Sequence, residues 1–501
     1  MDYSRFKSGS DIRGYALGDE SNPLFMSDIM VMRSVTAFIS FLKKKTEKDD
    51  LTVSVGHDSR LSAERIKNAV IKALKSNGVS VIDCSLCSTP AMFMTTVELK
   101  CDGAVQITAS HHPKDRNGLK FFTREGGLDG SDIAKILEDA GNIENPIGEL
   151  NGEVKTCDFM AKYSKILRNM IIKGVNAGDK PLVGMKIIVD AGNGVGGFYA
   201  TDVLAPLGAD ITGSLYLNPD GNFPNHAPNP ENAEAMQCIT DATVKENADF
   251  GIIFDTDVDR SACVGKGGFS INRNRLVALA AKVALENCPG GTIVTDSVTS
   301  DGLAKFIKAN GGVHLRFKRG YRNVINKQLE LCKKGINCPL AMETSGHAAF
   351  AENYFLDDGA YLITKLIIEA AALAKKGETL EDLIKKLPEP KEEKELRFKI
   401  LCDDFRPEGE KIISLFENES KVHDGWAAAD DNYEGIRINC RDGNGWFLLR
   451  LSVHDPIIVL NTESDEIGGT HKMCSEVLNV IKTASNIDLI DISSLKDFVE
   501  G

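Results

Sequence analysis

"LTVSVGHDSR", residues 51–60, is followed by "AERIKNAVIKALKSNG", residues 63–78, and "VSVIDCS", residues 79–85. The first reads as a strand running into a polar turn. The second sets apolar residues at helical spacing and stops at Gly78, and the third returns to the short apolar texture of a strand. Strand, helix, strand units of this kind build parallel or mixed sheets covered by helices. "GAVQITAS", residues 103–110, adds another strand and leaves Ser110 just beyond its carboxyl end. Ligands of open α/β sheets sit in crevices outside those ends.

The pattern restarts twice, at "MKIIVDAGNGVGG" near residue 185 and at "GGTIVTDSVTS" near residue 290. "ADFGIIFDTDVDR" and "GVHLRFKRG" continue these units as later strands. The charged stretch "KKLPEPKEEKELRFK" from Lys385 reads as a surface linker or domain edge. Beyond it, "GNGWFLLRLSVHDPIIVLNTES" has the texture of strands and turns. The expected class is α/β, with three related mixed α/β domains plus a smaller C-terminal α+β domain, divided as residues 1–160, 161–288, 289–398 and 399–501.

Composition bounds the function. The chain has 501 residues, 42% hydrophobic and 26% charged, which is ordinary for a soluble globular protein. Its net charge of -13 disfavours a large interface with a phosphate backbone, so no nucleic-acid partner is expected. No apolar run approaches the roughly 18 residues of a membrane span, and "MDYSRFKSGSDIRGY" lacks a signal-peptide core. A cytoplasmic protein without a membrane partner is expected. The twelve cysteines are scattered, and the Cys84–Cys87 CxxC reads as buried or loop thiols rather than a redox pair. Gly192, Gly194 and Gly197 fit GxGxxG, with Asp210 as the distant acid of a dinucleotide site. The alternative is a tight turn where only glycine permits close packing, and it leaves the richer chemistry elsewhere.

That chemistry centres on "DTDVDR", residues 255–260. Asp255, Asp257 and Asp259 alternate where the backbone leaves a strand, and on curling they offer hard oxygen ligands suited to Mg2+. Unless the loop is solvated, three like charges call for a cation. Ser110, in "TASHH", reads as a cap or turn serine, or as a phosphoryl carrier whose oxygen completes the metal shell. His111 or His112 is a candidate base for it. Lys120, in "GLKFF", is expected on a strand returning into the same crevice, where its ammonium balances phosphate charge or exchanges a proton. Polar clusters lie elsewhere: Arg13 in "GSDIRGY", Lys318 and Arg322 in "FKRGYR", and Glu343, Ser345 and His347 in "METSGHAAF". Arg450, Ser452 and His454 in "LLRLSVHDP" suit a phosphate clamp.

Taken in order, "GSDIRGY", "VGHDSR", "TASHHPKDRNGLK", "VDAGNGVGG", "NPDGNFPNHAPNPE", "DTDVDR", "ETSGH", "NYEGIRI" and "RLSVHDP" resemble the α-D-phosphohexomutase family of phosphoglucomutases and phosphomannomutases over nearly the whole chain. The resemblance implies four domains around a central cleft, supplying in turn the phosphoserine, the metal, sugar recognition and phosphate binding. It implies Ser110 as the phosphoserine, Asp255, Asp257 and Asp259 as Mg2+ ligands, and Arg260 as the arginine trailing them. Arg13 and Lys120 resemble residues that assist proton movement. Lys318 matches a basic cleft residue, Glu343, Ser345 and His347 the sugar loop, and Arg450 and Ser452 the phosphate loop. The implied reaction moves a phosphoryl group between the 1- and 6-positions of glucose or mannose phosphates through a hexose 1,6-bisphosphate, which is both activator and intermediate. Glucosamine phosphate is the same-chemistry alternative, and a catalytically silent interaction protein the other. A monomer or weak homodimer is expected.

Two departures stand out. The serine loop reads "SHHP" where SHNP is common, and the phosphate loop reads "RLSVHDP" where RPSGTEP is common. The latter keeps Arg450, Ser452 and Pro456, and His454 is the candidate to replace the lost hydroxyl.

Overall fold

The computed structural model describes residues 1–452 and 455–501; His454 of the expected phosphate clamp lies outside them. The chain forms two compact units, residues 1–284 with 345–385, and residues 285–344 with 386–501. Their sheets are of the expected kinds: mixed ones covered by helices, then an antiparallel one near the C-terminus.

In the first unit, the strand Thr52–His57 lies parallel to both Ser80–Leu86 and Gly103–Ile107. Arg116–Thr123 returns antiparallel beside Gly103–Ile107, setting Gln106 opposite Lys120. The helix Ala63–Ser76 joins Thr52–His57 to Ser80–Leu86 and turns Ile66, Ala69, Val70, Ala73 and Leu74 inward. Gly78, at φ +72°, takes the left-handed turn that ends it. Phe38 stacks on Phe121 at 4.3 Å in the same core, and each such fully buried side chain contributes about 1.5–3 kcal/mol.

The second sheet of this unit pairs Ile187–Asp190 parallel with Phe250–Phe254, and Phe250–Phe254 antiparallel with Ser261–Gly265. "FGIIF" is buried throughout, as a strand covered on both faces should be. The glycine motif after Asp190 opens only an irregular helix, which starts at Gly197 and Phe198 and continues as the π-helical segment Tyr199–Leu204. Its glycines serve close packing instead. A Cβ on Gly194 would lie 2.6 Å from the Thr256 carbonyl oxygen, and one on Gly197 2.1 Å from that of Leu217.

In the second unit, Thr292–Asp296 lies parallel to Val313–Phe317 and to Leu340–Met342. The remaining sheet is antiparallel, built from Trp426–Ala428, Ile436–Cys440, Gly445–Leu451, Ile457–Ser464 and Glu392–Ile400 in spatial order. The stretch expected as a linker or domain edge starts where one unit gives way to the other, after Lys385, and its second half, Glu392–Ile400, is a strand that pairs with Ile457–Ser464 along its length. In that half the charges alternate with Leu396, Phe398 and Ile400, whose side chains enter the core around Phe416 and Phe447.

All twelve cysteines are free thiols. Burial pushes Cys84 and Cys87 well above the ordinary thiol range, which leaves the CxxC inert. No helix among the described residues is long and apolar enough to cross a membrane.

Candidate active site

Ser110 is buried and sits at φ +50°, in the left-handed region that costs a serine of order 1 kcal/mol. Arg60 holds it there. The guanidinium of this residue from "VGHDSR" donates to the carbonyls of Ser110 at 2.5 Å, His112 at 2.6 Å, Pro113 at 2.7 Å and Arg116 at 3.0 Å. Asp58 pairs with Arg60 Nε at 3.1 Å and accepts from Thr108 Oγ1 at 2.8 Å, while Thr108 Oγ1 accepts from the Ser110 N–H at 2.9 Å. Sequence reading gave Arg60 no role, although its motif was visible. Both partners of the Asp58–Arg60 pair have fully buried side chains. Arg60→Ala is therefore expected to cost about 3–5 kcal/mol, the price of leaving one buried charge unpaired. Urea denaturation measures it, and a loss below about 1 kcal/mol would show that the loop does not depend on this clamp.

The acidic loop converges as expected. Asp255, Asp257 and Asp259 bring carboxylate oxygens within 4.8 Å of one another, all buried. The loop turns through Val258 at φ +67°, a strained conformation for a β-branched residue. Its neighbours leave little alternative. Gly194 presses on Thr256, a Cβ on Gly359 would lie 2.8 Å from the Arg260 carbonyl carbon, and the Thr89 N–H donates to the Asp257 carbonyl at 2.9 Å.

Ser110 meets this loop across 145 residues of chain, donating from Oγ to Asp255 Oδ2 at 2.9 Å. Arg260 donates to the same Ser110 oxygen at 3.1 Å and, through Nε, to Asp255 at 3.2 Å. Arg260 also reaches Asn229 at 3.3 Å and Glu231 at 3.6 Å. Lys120 pairs with Asp259 and lies 3.5 Å from Asp257. Thr89 donates to Asp257 Oδ2, leaving Asp257 Oδ1 and Asp259 Oδ1 buried without a hydrogen-bond donor among the described residues. Two orphan oxygens in an all-carboxylate cluster fit a hard divalent cation.

Charge in this cluster is unevenly shared. Burial, then Asp259 and Asp257, push the Asp255 carboxyl well above its ordinary range. Burial also opposes charge on Asp259, but Lys120, His347 and Arg260 together outweigh it and hold that carboxyl low. His347 is raised to about 9, because Asp357 and Asp259 more than offset the burial that disfavours an imidazolium. His111 lies 3.4 Å from Ser110 Oγ, and the Arg260 charge, with burial, drives its pKa down and keeps it neutral.

The other expected residues are distributed as follows. Arg13 lies on the strand Asp11–Tyr15 opposite Gly118 and pairs with Asp11 at 2.7 Å. The boundary between the two units falls inside the expected sugar loop, after Thr344. In the first unit Ser345 is buried, and His347 is engaged by Asp357 and lies 3.9 Å from Asp259, so it joins the acidic cluster. In the second unit Glu343 accepts from the Gly320 N–H at 2.6 Å, and Arg450 lies 3.6 Å from Glu434. Ser452 Oγ accepts from the Asp455 N–H at 3.2 Å, Arg322 lies in the first turn of the helix Tyr321–Lys333, and Lys318 is exposed.

A strand-end serine set against three convergent carboxylates is an arrangement suited to metal-assisted phosphoryl transfer. Family models described as phosphoglucomutase/phosphomannomutase alpha/beta/alpha domains I, II and III match residues 5–146, 161–268 and 272–390. The phosphoglucomutase/phosphomannomutase of Thermococcus kodakarensis is 31% identical over 463 residues, covering 90% of this chain and 93% of that protein. The phosphomannomutase/phosphoglucomutase of Pseudomonas aeruginosa is 31% identical over 415 residues, covering 82% and 83%. A crystal structure of a phosphoglucomutase/phosphomannomutase family protein from Burkholderia thailandensis superposes with a TM-score of 0.80 at 26% identity, covering 97% of this chain and 98% of that one. The chain belongs to the α-D-phosphohexomutase family of phosphoglucomutases and phosphomannomutases.

Proposed function

We propose that this phosphohexomutase interconverts the 1- and 6-phosphates of glucose and mannose through a phosphorylated Ser110. The observation that carries the reading is the 2.9 Å contact between Ser110 Oγ and Asp255, inside a carboxylate cluster with two orphan oxygens. Asp255, Asp257 and Asp259, with an oxygen of the phosphorylated serine, would hold Mg2+, which would withdraw charge from phosphorus.

In the first half-reaction the substrate hydroxyl oxygen bonds to phosphorus as the bond from phosphorus to Ser110 Oγ breaks. The product is a hexose 1,6-bisphosphate. The proton of the attacking substrate hydroxyl passes to a base, a role we assign to Lys120 because it contacts Asp259 and Asp257, while Arg13, opposite Gly118 on the neighbouring strand, assists through its charge. Arg260 steadies the departing serine oxygen, which it already contacts. After the bisphosphate reorients, the other phosphate returns to Ser110. Lys318, Glu343, Ser345 and His347 would recognise the sugar, and Arg450 and Ser452 its distant phosphate, with His454 assigned to that group from sequence alone.

Intact-mass measurement before and after glucose 1,6-bisphosphate, paired with kcat/KM for glucose, mannose and glucosamine 1-phosphates, tests the reading. A protein that never gains a phosphoryl group and shows only background turnover would reject it, and a dominant glucosamine value would reassign the substrate. Arg450→Ala is expected to keep Ser110 phosphorylation while raising KM about tenfold or more, through loss of a charge-assisted fork. An unchanged KM would remove Arg450 from the phosphate contact.

A further inference from the structure

"NYEGIRI" joined the family resemblance without any residue of it acquiring a role. Glu434 lies at the centre of the polar groups that surround Arg450 in the second unit. Its Oε1 accepts from Ser297 Oγ at 2.7 Å, and its Oε2 accepts from the Arg319 backbone N–H at 2.8 Å. The same Oε1 lies 3.6 Å from Arg450 Nε, with both side chains largely buried. One residue along, the Gly320 N–H donates to Glu343 at 2.6 Å. A single carboxylate therefore touches the arginine of the phosphate loop and the turn on which Glu343 is docked.

The backbone enforces this placement. Gly435 has φ +56°, and a Cβ there would lie 2.0 Å from the Leu449 carbonyl oxygen and 2.8 Å from Arg450 Cα. Glycine alone lets the chain carrying Glu434 press against the strand at Arg450. At 3.6 Å the carboxylate attracts Arg450 without taking a hydrogen bond from it, and Arg450 Nε donates to no acceptor among the described residues. A phosphate can then be bound by the guanidinium without first displacing Glu434. Burial and the nearby Arg319 both work against the charge on Arg450, while Glu434, Glu395 and Asp296 support it.

We infer that Glu434 is a positioning residue that aligns Arg450 for substrate phosphate and ties it to the turn carrying Arg319 and Gly320, setting the phosphate arginine in register with Glu343. The inference rests on the reading of Arg450 as a phosphate ligand. Glu434 also brings negative charge toward a dianion, an opposing effect. One N–H and one O–H donor already engage that carboxylate and delocalise its charge, so alignment should dominate.

The test is calorimetric binding of glucose 6-phosphate to the full chain with Mg2+, alongside mutase kinetics. Glu434→Ala is expected to raise Kd and KM about tenfold with kcat changed less than about threefold, and Glu434→Gln, which keeps an acceptor for Arg319 but no charge, about threefold. In an Arg450→Ala background, Glu434→Ala should add less than about twofold, because a residue acting through Arg450 has nothing left to position. Unchanged or tighter binding in either single variant would overturn the inference, as would a full additive loss in the double variant. If the alanine variant does not fold, the glutamine variant decides alone. Turnover by the wild-type protein judges the proposed reaction, whereas glucose 6-phosphate affinity judges Glu434.

Discussion

Ser110→Ala is expected to abolish phosphoryl uptake from glucose 1,6-bisphosphate and to lower turnover by at least about a thousandfold, because the proposed carrier of phosphate between the two half-reactions is gone. The rest of the site should survive. Arg260 keeps its bond to Asp255 at 3.2 Å, and the four carbonyls held by Arg60 belong to the backbone, which alanine leaves in place. Alanine at φ +50° inherits the strain that serine already bears. Denaturant midpoints near wild type, with the added mass of a phosphoryl group missing, would locate the defect in chemistry. Turnover in S110A within about tenfold of wild type would exclude Ser110 as the carrier.

The second large effect is on the cation. Asp257→Asn should lower turnover at least about tenfold across a Mg2+ titration, since an amide oxygen is a weaker ligand than a carboxylate and the cluster loses one charge. Stability should move the opposite way in the metal-free protein. Like-charge repulsion from Asp259 and Asp257 contributes to raising Asp255, so removing one charge relieves it. In EDTA the melting temperature of D257N is expected to be at or above that of wild type. In excess Mg2+ wild type should gain stability by linkage and D257N should gain less. Equal Mg2+-dependent gains in the two proteins, with normal turnover, would remove Asp257 from the metal shell.

Much of this organisation was legible as local pattern. Ile66, Ala69, Val70, Ala73 and Leu74 advertise a helix through their spacing alone, and Gly78 marks its end because few other residues accept φ +72° cheaply. "FDTDVDR" shows a buried strand breaking into alternating carboxylates, and the ordered motifs identify the family. Local pattern failed where charge and period conflicted. The strand Glu392–Ile400 reads as a linker until Leu396, Phe398 and Ile400 are seen to share one face.

The amino-acid sequence by itself determined most of the elements, the family and the candidate serine and three aspartates, because periodicity, glycine geometry and motif order are properties of neighbouring residues. Only the tertiary structure decided which of these groups meet. Ser110 and Asp255 are 145 positions apart, Arg60 reaches carbonyls some fifty residues ahead, and His347 turns to Asp357 and Asp259. Glu434 finds Ser297 and Arg319 across more than a hundred residues. Such contacts leave no periodic trace in the chain. They follow from how whole sheets and helices pack, a sum of many weak contacts that no short stretch of sequence contains.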